Sequence, residues 1–147
     1  MKVGYLCLAG LVSAGLAGCT GQNGQPEVGL RSDSGYTIHA KSRQSVQIYD
    51  AYQVTVDCST LGATPSISIT GKPQHGTATV AIKSAHPAYP ATNPRYKCNQ
   101  KTIPMAVVNY QSNLGFVGTD TVKLHTDFHE SPDNPSEDIV AVIKVGP

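Results

Sequence analysis

A chain of 147 residues has room for one domain with a sizeable core, and 11 basic against 10 acidic side chains give it no excess of charge for nucleic acid. Lys2 is the single charge among residues 1–18, so the remainder carries ten charges of each sign and is formally neutral. The charges are unevenly placed. Arg95, Lys97 and Lys101 gather in one stretch, while Asp120, Asp127, Glu130, Asp133, Glu137 and Asp138 crowd the last third. Such clusters are usually solvated faces, and they can guide a charged partner.

The N-terminus reads "MKVGYLCLAGLVSAGLAGC". One basic residue precedes an apolar run too short and too glycine-rich for a membrane span, which marks residues 1–18 as a cleaved secretory signal peptide. Its end, "LAGC" from Leu16 to Cys19, resembles the lipobox of bacterial lipoproteins, in which an apolar residue and two small ones precede a cysteine. The resemblance implies that Cys19 becomes the mature N-terminus and carries a thioether-linked diacylglycerol and an amide-linked acyl chain. Each buried CH₂ contributes about 0.8 kcal/mol, so several chains anchor far more firmly than one. Thr20 follows, where an aspartate would be the usual signal for inner-membrane retention. By that analogy the destination is the outer membrane of a bacterial cell envelope.

From Thr20 to about Gly35, "TGQNGQPEVGLRSDSG" has almost no periodic apolar content. With Cys19 it makes a flexible linker over 19–35, which would set the folded domain roughly 20–25 Å from its anchor on average. The domain itself is expected over 36–147. "SVQIYD" places Val46 and Ile48 on one face, and "YQVTVDC" sets Tyr52, Val54, Val56 and Cys58 against Gln53, Thr55 and Asp57. "SISIT" pairs Ile67 with Ile69, and "GTATVAI" aligns Ala78, Val80 and Ile82. "MAVVNYQ" gives Val108 and Tyr110 a shared face, and "DTVKLHTDF" aligns Val122, Leu124, Thr126 and Phe128. "DIVAVIKV" is nearly continuous apolar sequence. About seven short segments of period two, separated by Gly, Pro, Asn and Asp, predict an all-β sandwich. The mature chain shows no apolar stripe of helical period.

Cysteine usage agrees with an exported protein. Cys7 leaves with the signal and Cys19 is the lipidation candidate, so Cys58 and Cys98 remain. Outside the cytoplasm two such thiols most simply form one disulfide, and the C-x-x-C spacing of a redox pair is absent. Closing a loop of about 40 residues stabilises by roughly 4 kcal/mol in the chain-entropy model. The bridge would staple "KSAHPAYPATNPRYKCNQKTIP", a long loop with four prolines, to the start of the domain.

Two further phrases carry a resemblance. "ITGKPQHGTATV" is similar to the "P-x-HGT-x-x-V" phrase of bacterial Ig-like and cadherin-like repeat domains, and "VNYQSNLGFVGTDTVKL" to their later "F-x-G-x-D-[ST]-[FV]" phrase. Order and spacing fit, apart from a longer insertion between the two. In that role Pro73 rejects a ladder position, and Gly76 supplies a tight turn before the strand that starts at Thr77. His75 packs or caps, Phe116 is a buried plug, Gly118 permits positive φ, and Asp120 bonds its own following backbone. The resemblance implies an extracytoplasmic sandwich that spaces, adheres or scaffolds without enzymatic activity. This chain departs from the pattern in its single copy, its cysteine-containing insertion and its lack of an Asp-dense "D-x-D-G-D" stretch, so calcium is not carried over.

Nucleophile elbows, phosphate loops and H-E-x-x-H are absent. His39 and His86 stand alone and read as solvated. His125, Asp127 and His129 share one strand face with Lys123, opposite the core side. At roughly 6.5–7 Å per step, adjacent members can share an ion, but three on a straight strand need a bulge or a fourth partner to close a tetrahedral site. The expected function is therefore that of a lipid-anchored envelope module without cofactor, small-molecule substrate or nucleic acid. It would act by contact with another envelope protein through Tyr89, Arg95, Tyr96 and Lys97 of the insertion. The alternatives are a periplasmic metal-binding protein using His125, Asp127 and His129, and an inhibitor that inserts the stapled loop into an envelope hydrolase.

Overall fold

In "DTVKLHTDF" every second residue from Val122 is uncharged, and the strand formed there buries Val122, Leu124 and Thr126 to at most 1% exposure. The computed structural model describes residues 35–129 and 136–147. Seven strands follow in order: β1 (Gly35–Lys41), β2 (Ser45–Ala51), β3 (Ser66–Gly71), β4 (Gly76–Ala85), β5 (Ile103–Ser112), β6 (Gly118–Asp127) and β7 (Ser136–Gly146). They form a four-stranded sheet in the order β1-β7-β6-β3 and a three-stranded sheet in the order β2-β5-β4. The expected β-sandwich is the architecture of the chain.

Two hairpins dominate the register. β4 and β5 pair from Gly76 opposite Ser112 to Ala85 opposite Ile103, and β6 and β7 from Gly118 opposite Val145 to Asp127 opposite Ser136. β1 runs parallel to β7, from Gly35 opposite Val140 to Lys41 opposite Gly146. Between the sheets, Ile38, Ile48, Val108, Tyr110, Val122, Leu124, Ala141 and Ile143 make one core. Away from the bulges in β2 and β3, inward and outward residues alternate along the strands because the pleat has period two.

Three expectations need correction. The alternating stretch Tyr52–Cys58 is not a strand, apart from one isolated bridge between Val54 and Thr60. Its polar side chains close a turn instead: Thr55 N donates to Ser59 O at 2.9 Å, and the Asp57 carboxylate accepts the Thr55 hydroxyl and the Ser59 N–H. Short hydroxyl and carboxylate side chains compete in this way with a ladder. Conversely, Gly35–Lys41, where the sequence named no strand and left Gly35 to the linker, is strand β1, with Tyr36 and Ile38 buried. Finally, the aligned row of β4 is only partly core. Val80 is 40% and Ile82 62% exposed, because β4 is an edge strand and the short β3 opposite covers little of it.

Candidate functional site

The two phrases that resemble the repeat domains meet at Asp120. This carboxylate is buried, and its Oδ1 accepts the backbone N–H groups of Gln74 and Thr121, each at 2.9 Å. Its Oδ2 accepts His75 N–H at 2.9 Å and the Tyr110 hydroxyl at 3.0 Å. Burial alone raises the pKa of Asp120, but the three backbone donors and the tyrosine outweigh it and hold the group below its ordinary value of 3.8. Tyr110 is pushed well above the usual tyrosine range, first by burial and then by Asp120. Gly76 is required beside this contact: a Cβ there would sit 2.6 Å from the Tyr110 ring and 2.6 Å from Gln111 O. Gly118 has φ of 149°, and His75 stacks on Phe116 with ring centroids 4.3 Å apart. The phrase residues therefore fasten the β3–β4 turn to β5 and β6. Every lone pair position that a catalytic carboxylate would use is occupied by a structural donor.

The insertion between β4 and β5 lies over the outer face of the three-stranded sheet. Cys58 and Cys98 form the disulfide with Cα atoms 5.2 Å apart, and Cys98, at the centre of the 3-10 helix Tyr96–Gln100, is fully buried. Around them Val54, Ile103, Met105 and Val107 make a second, smaller core. This explains the continuous "MAVV" of β5: Ala106 and Val108 face the main core, while Met105 and Val107 face the loop. Tyr52 and Tyr89 meet edge to face at 5.4 Å, and Ala88 N donates to the Tyr52 hydroxyl at 2.9 Å. Asn99 braces the loop by accepting from Tyr89 N and donating to Tyr89 O.

The four candidate contact residues consequently divide in two. Tyr89 is half-buried against the second core, and Arg95 Nε donates to Val54 O at 2.7 Å. These two hold the loop's shape. Tyr96, at 53% exposure, and Lys97 face outward on the 3-10 helix. The chain thus supplies a rigid loop with a small outward surface.

His125 and Asp127 lie on the outward face of β6, as the period requires. The three do not meet at one point, although Asp127 Oδ2 lies 3.4 Å from His129 Nδ1. His125 Nδ1 meets Asp138 Oδ1 of β7 at 2.8 Å, whereas Asp127 accepts the backbone N–H of His129 at 2.6 Å. His129 has φ of 51° and turns off the strand. Among the described residues, no group of three or more His, Cys, Asp or Glu is placed to hold a metal ion.

The chain matches no family model, no curated protein and no solved structure. Residues 1–34, with the signal segment, Cys19 and most of the linker, lie outside the described residues. Among the described residues, no helix is long and apolar enough to cross a membrane.

Period-two reading does not mark the cleft beside the loop. A bulge in β2 between Gln47 and Tyr49 leaves both Ile48 and Tyr49 buried, and sends the strand's end toward the insertion. There a cavity of about 380 Å³ opens among Tyr49, Asp50, Tyr52, Tyr89, Phe128 and Glu137. A neighbouring lobe of about 200 Å³ shares Tyr52, Tyr89 and Phe128 and reaches Leu61 and Arg95. The signal for it in the sequence is "YDAY", two tyrosines around an aspartate where a strand ends.

Proposed function

We propose that this protein is a lipid-anchored module of the bacterial cell envelope, held at the outer membrane through Cys19 and acting by contact with another envelope protein. The observation that carries the reading is the stapled loop: a disulfide and its own small core fix an insertion that presents Tyr96 and Lys97 to solvent. Binding usually sits on loops that a rigid scaffold holds in position, and a pre-ordered loop loses less entropy on binding. The strand order supports kinship with Ig-like domains. Lettered A to G along the chain, the third, sixth and seventh strands share one sheet and the second, fifth and fourth the other, with the first beside the seventh. The Asp120 cluster gives the repeat-like phrases a folding role, in keeping with a module that does no chemistry.

Crosslinking in the native envelope tests the assignment. A Tyr96→Ala, Lys97→Glu variant is expected to lose its crosslinked partner at unchanged melting temperature, and Cys19→Ser to leave the membrane fraction. A partner retained by the loop variant would remove the contact assignment.

A further inference from the structure

The edge of a sheet presents unpaired N–H and C=O groups, and native chains blunt it with short strands, bulges or charges. Among the described residues three of the four edges follow that rule. β3 has only six residues and a register shift between Ile69 and Gly71, β2 is shifted between Gln47 and Tyr49, and β1 carries His39 and Lys41. β4 does not. Its ten residues pair with β5 without a shift and include no proline. Every residue from 79 to 84 is exposed, so both faces and the outer edge are open there. Val80 and Ile82 stand opposite Val108 and Ala106, on the face turned toward the main core, yet they are 40% and 62% exposed. The one charge on the strand does not guard the edge. Lys83 Nζ donates to Gln47 Oε1 of β2, beyond β5, which draws the ammonium back over its own sheet.

The strand is complementary to itself. Antiparallel pairing of two copies about Ala81 sets Val80 of each opposite Ile82 of the other, Ala78 opposite Ser84, Thr79 opposite Lys83 and Thr77 opposite Ala85. Both Val80–Ile82 pairs then lie on the core-ward face, where directly opposed β-branched side chains stabilise a sheet. No charge meets a like charge in this register, and a formal net charge of +1 leaves little repulsion between copies. Each copy has one such edge, so the pairing closes at two about a two-fold axis and does not run on into a fibre. From Thr77 to Ala85 the contact is roughly 30 Å long and about 10 Å deep, or about 300 Å² from each copy, against roughly 800 Å² in a standard interface. The association is therefore weak and reversible.

We propose that β4 is a dimerisation edge: it pairs antiparallel with β4 of a second copy about Ala81, joining the two three-stranded sheets into one and covering Val80 and Ile82. This surface is separate from Tyr96 and Lys97 of the insertion, and the proposal stands whether or not those residues meet another protein.

Sedimentation equilibrium of the full chain tests the pairing, and cysteine crosslinking tests the register. The chain is expected to pass from monomer to dimer at roughly 10–100 µM, the range of a small interface. Ile82→Lys and Val80→Lys, both at exposed positions, should each raise the dissociation constant at least tenfold at unchanged melting temperature. Should one of them melt early, the other decides. Tyr96→Ala with Lys97→Glu should leave the dimer as it is. Cysteines directly opposite each other on antiparallel strands lie within disulfide reach, so Ala81→Cys should give a disulfide-linked dimer of this chain above the level of the parent. Ser84→Cys, which faces Ala78 of the other copy, should not. A monomer throughout that range, a dimer indifferent to both lysine variants, or species that grow beyond two copies would overturn the proposal. So would equal crosslinking at Ala81→Cys and Ser84→Cys, which denies the register, or capture of a different protein by Ala81→Cys, which gives the edge to another partner.

Discussion

Replacing Asp120 with Asn changes one oxygen for an amino group at the most densely bonded position of the domain. The amide oxygen can keep the Gln74 and Thr121 N–H groups, which now donate to a neutral acceptor. The new amino group then faces the His75 N–H, donor against donor, while the Tyr110 hydroxyl can reverse and accept. One bond to a charged acceptor is lost, and the remaining ones lose their charge assistance. Bonds to charged groups contribute roughly 1.5–3 kcal/mol each and neutral ones nearer 1 kcal/mol, so losing one and weakening three costs about 3 kcal/mol or more. In a domain of this size each kcal/mol moves the melting temperature by about 4 °C, so the Asp120→Asn substitution should lower it by roughly 12 °C or more. The pH dependence gives a sharper check. A carboxylate whose folded pKa lies below its unfolded value contributes stability above the unfolded value and loses it as pH falls through the folded one. The gap between wild type and Asp120→Asn should hold from pH 7 to about 5 and shrink below about pH 4. Melting followed by circular dichroism across that range is the assay. A variant within about 2 °C of wild type at pH 7, or a gap as wide at pH 3 as at pH 7, would refute the reasoning.

The disulfide and the core offer two more tests. Cys58→Ser with Cys98→Ser opens a bridge between residues 40 apart in sequence, and the chain-entropy model puts the loss at about 4 kcal/mol; a melting temperature lowered by only a few degrees would show that the loop's own core suffices. Thr126 is fully buried and its hydroxyl has no hydrogen-bond partner among the described residues. The isosteric Thr126→Val should raise unfolding free energy by about 1 kcal/mol in urea titration, and a loss would mean that the hydroxyl is satisfied.

Strands were legible where one face is core and the other water. In β6, polar Lys123, His125 and Asp127 alternate with Val122, Leu124 and Thr126, and the same alternation that identified the strand also separated the histidines from the core. Tyr52–Cys58 shows the same period without a partner strand, since nothing in a periodicity says whether Thr55 and Asp57 will bond a neighbour or their own turn. β1 escaped for the opposite reason. Only Tyr36 and Ile38 mark it, within a polar surrounding, and its partner β7 lies about a hundred residues away in the chain. The insertion's role as a lid on Met105 and Val107 was hidden too, because Tyr89 and Arg95 look like contact residues until their loop partners are seen. The cleft needed four segments at once, the end of β2, the loop, the residue after β6 and the start of β7, and no local pattern records such a meeting.

The parallel pairing of β1 with β7 has a mechanical consequence. The chain enters β1 at Gly35 and leaves β7 at Gly146, which lie at opposite ends of the paired ladder. Tension applied through those two points runs along the strands, so the evenly spaced bonds between them are strained together. An antiparallel hairpin pulled at its open end yields one bond at a time. Under tension between those two points the ladder would hold as a clamp in shear until the whole first strand slides.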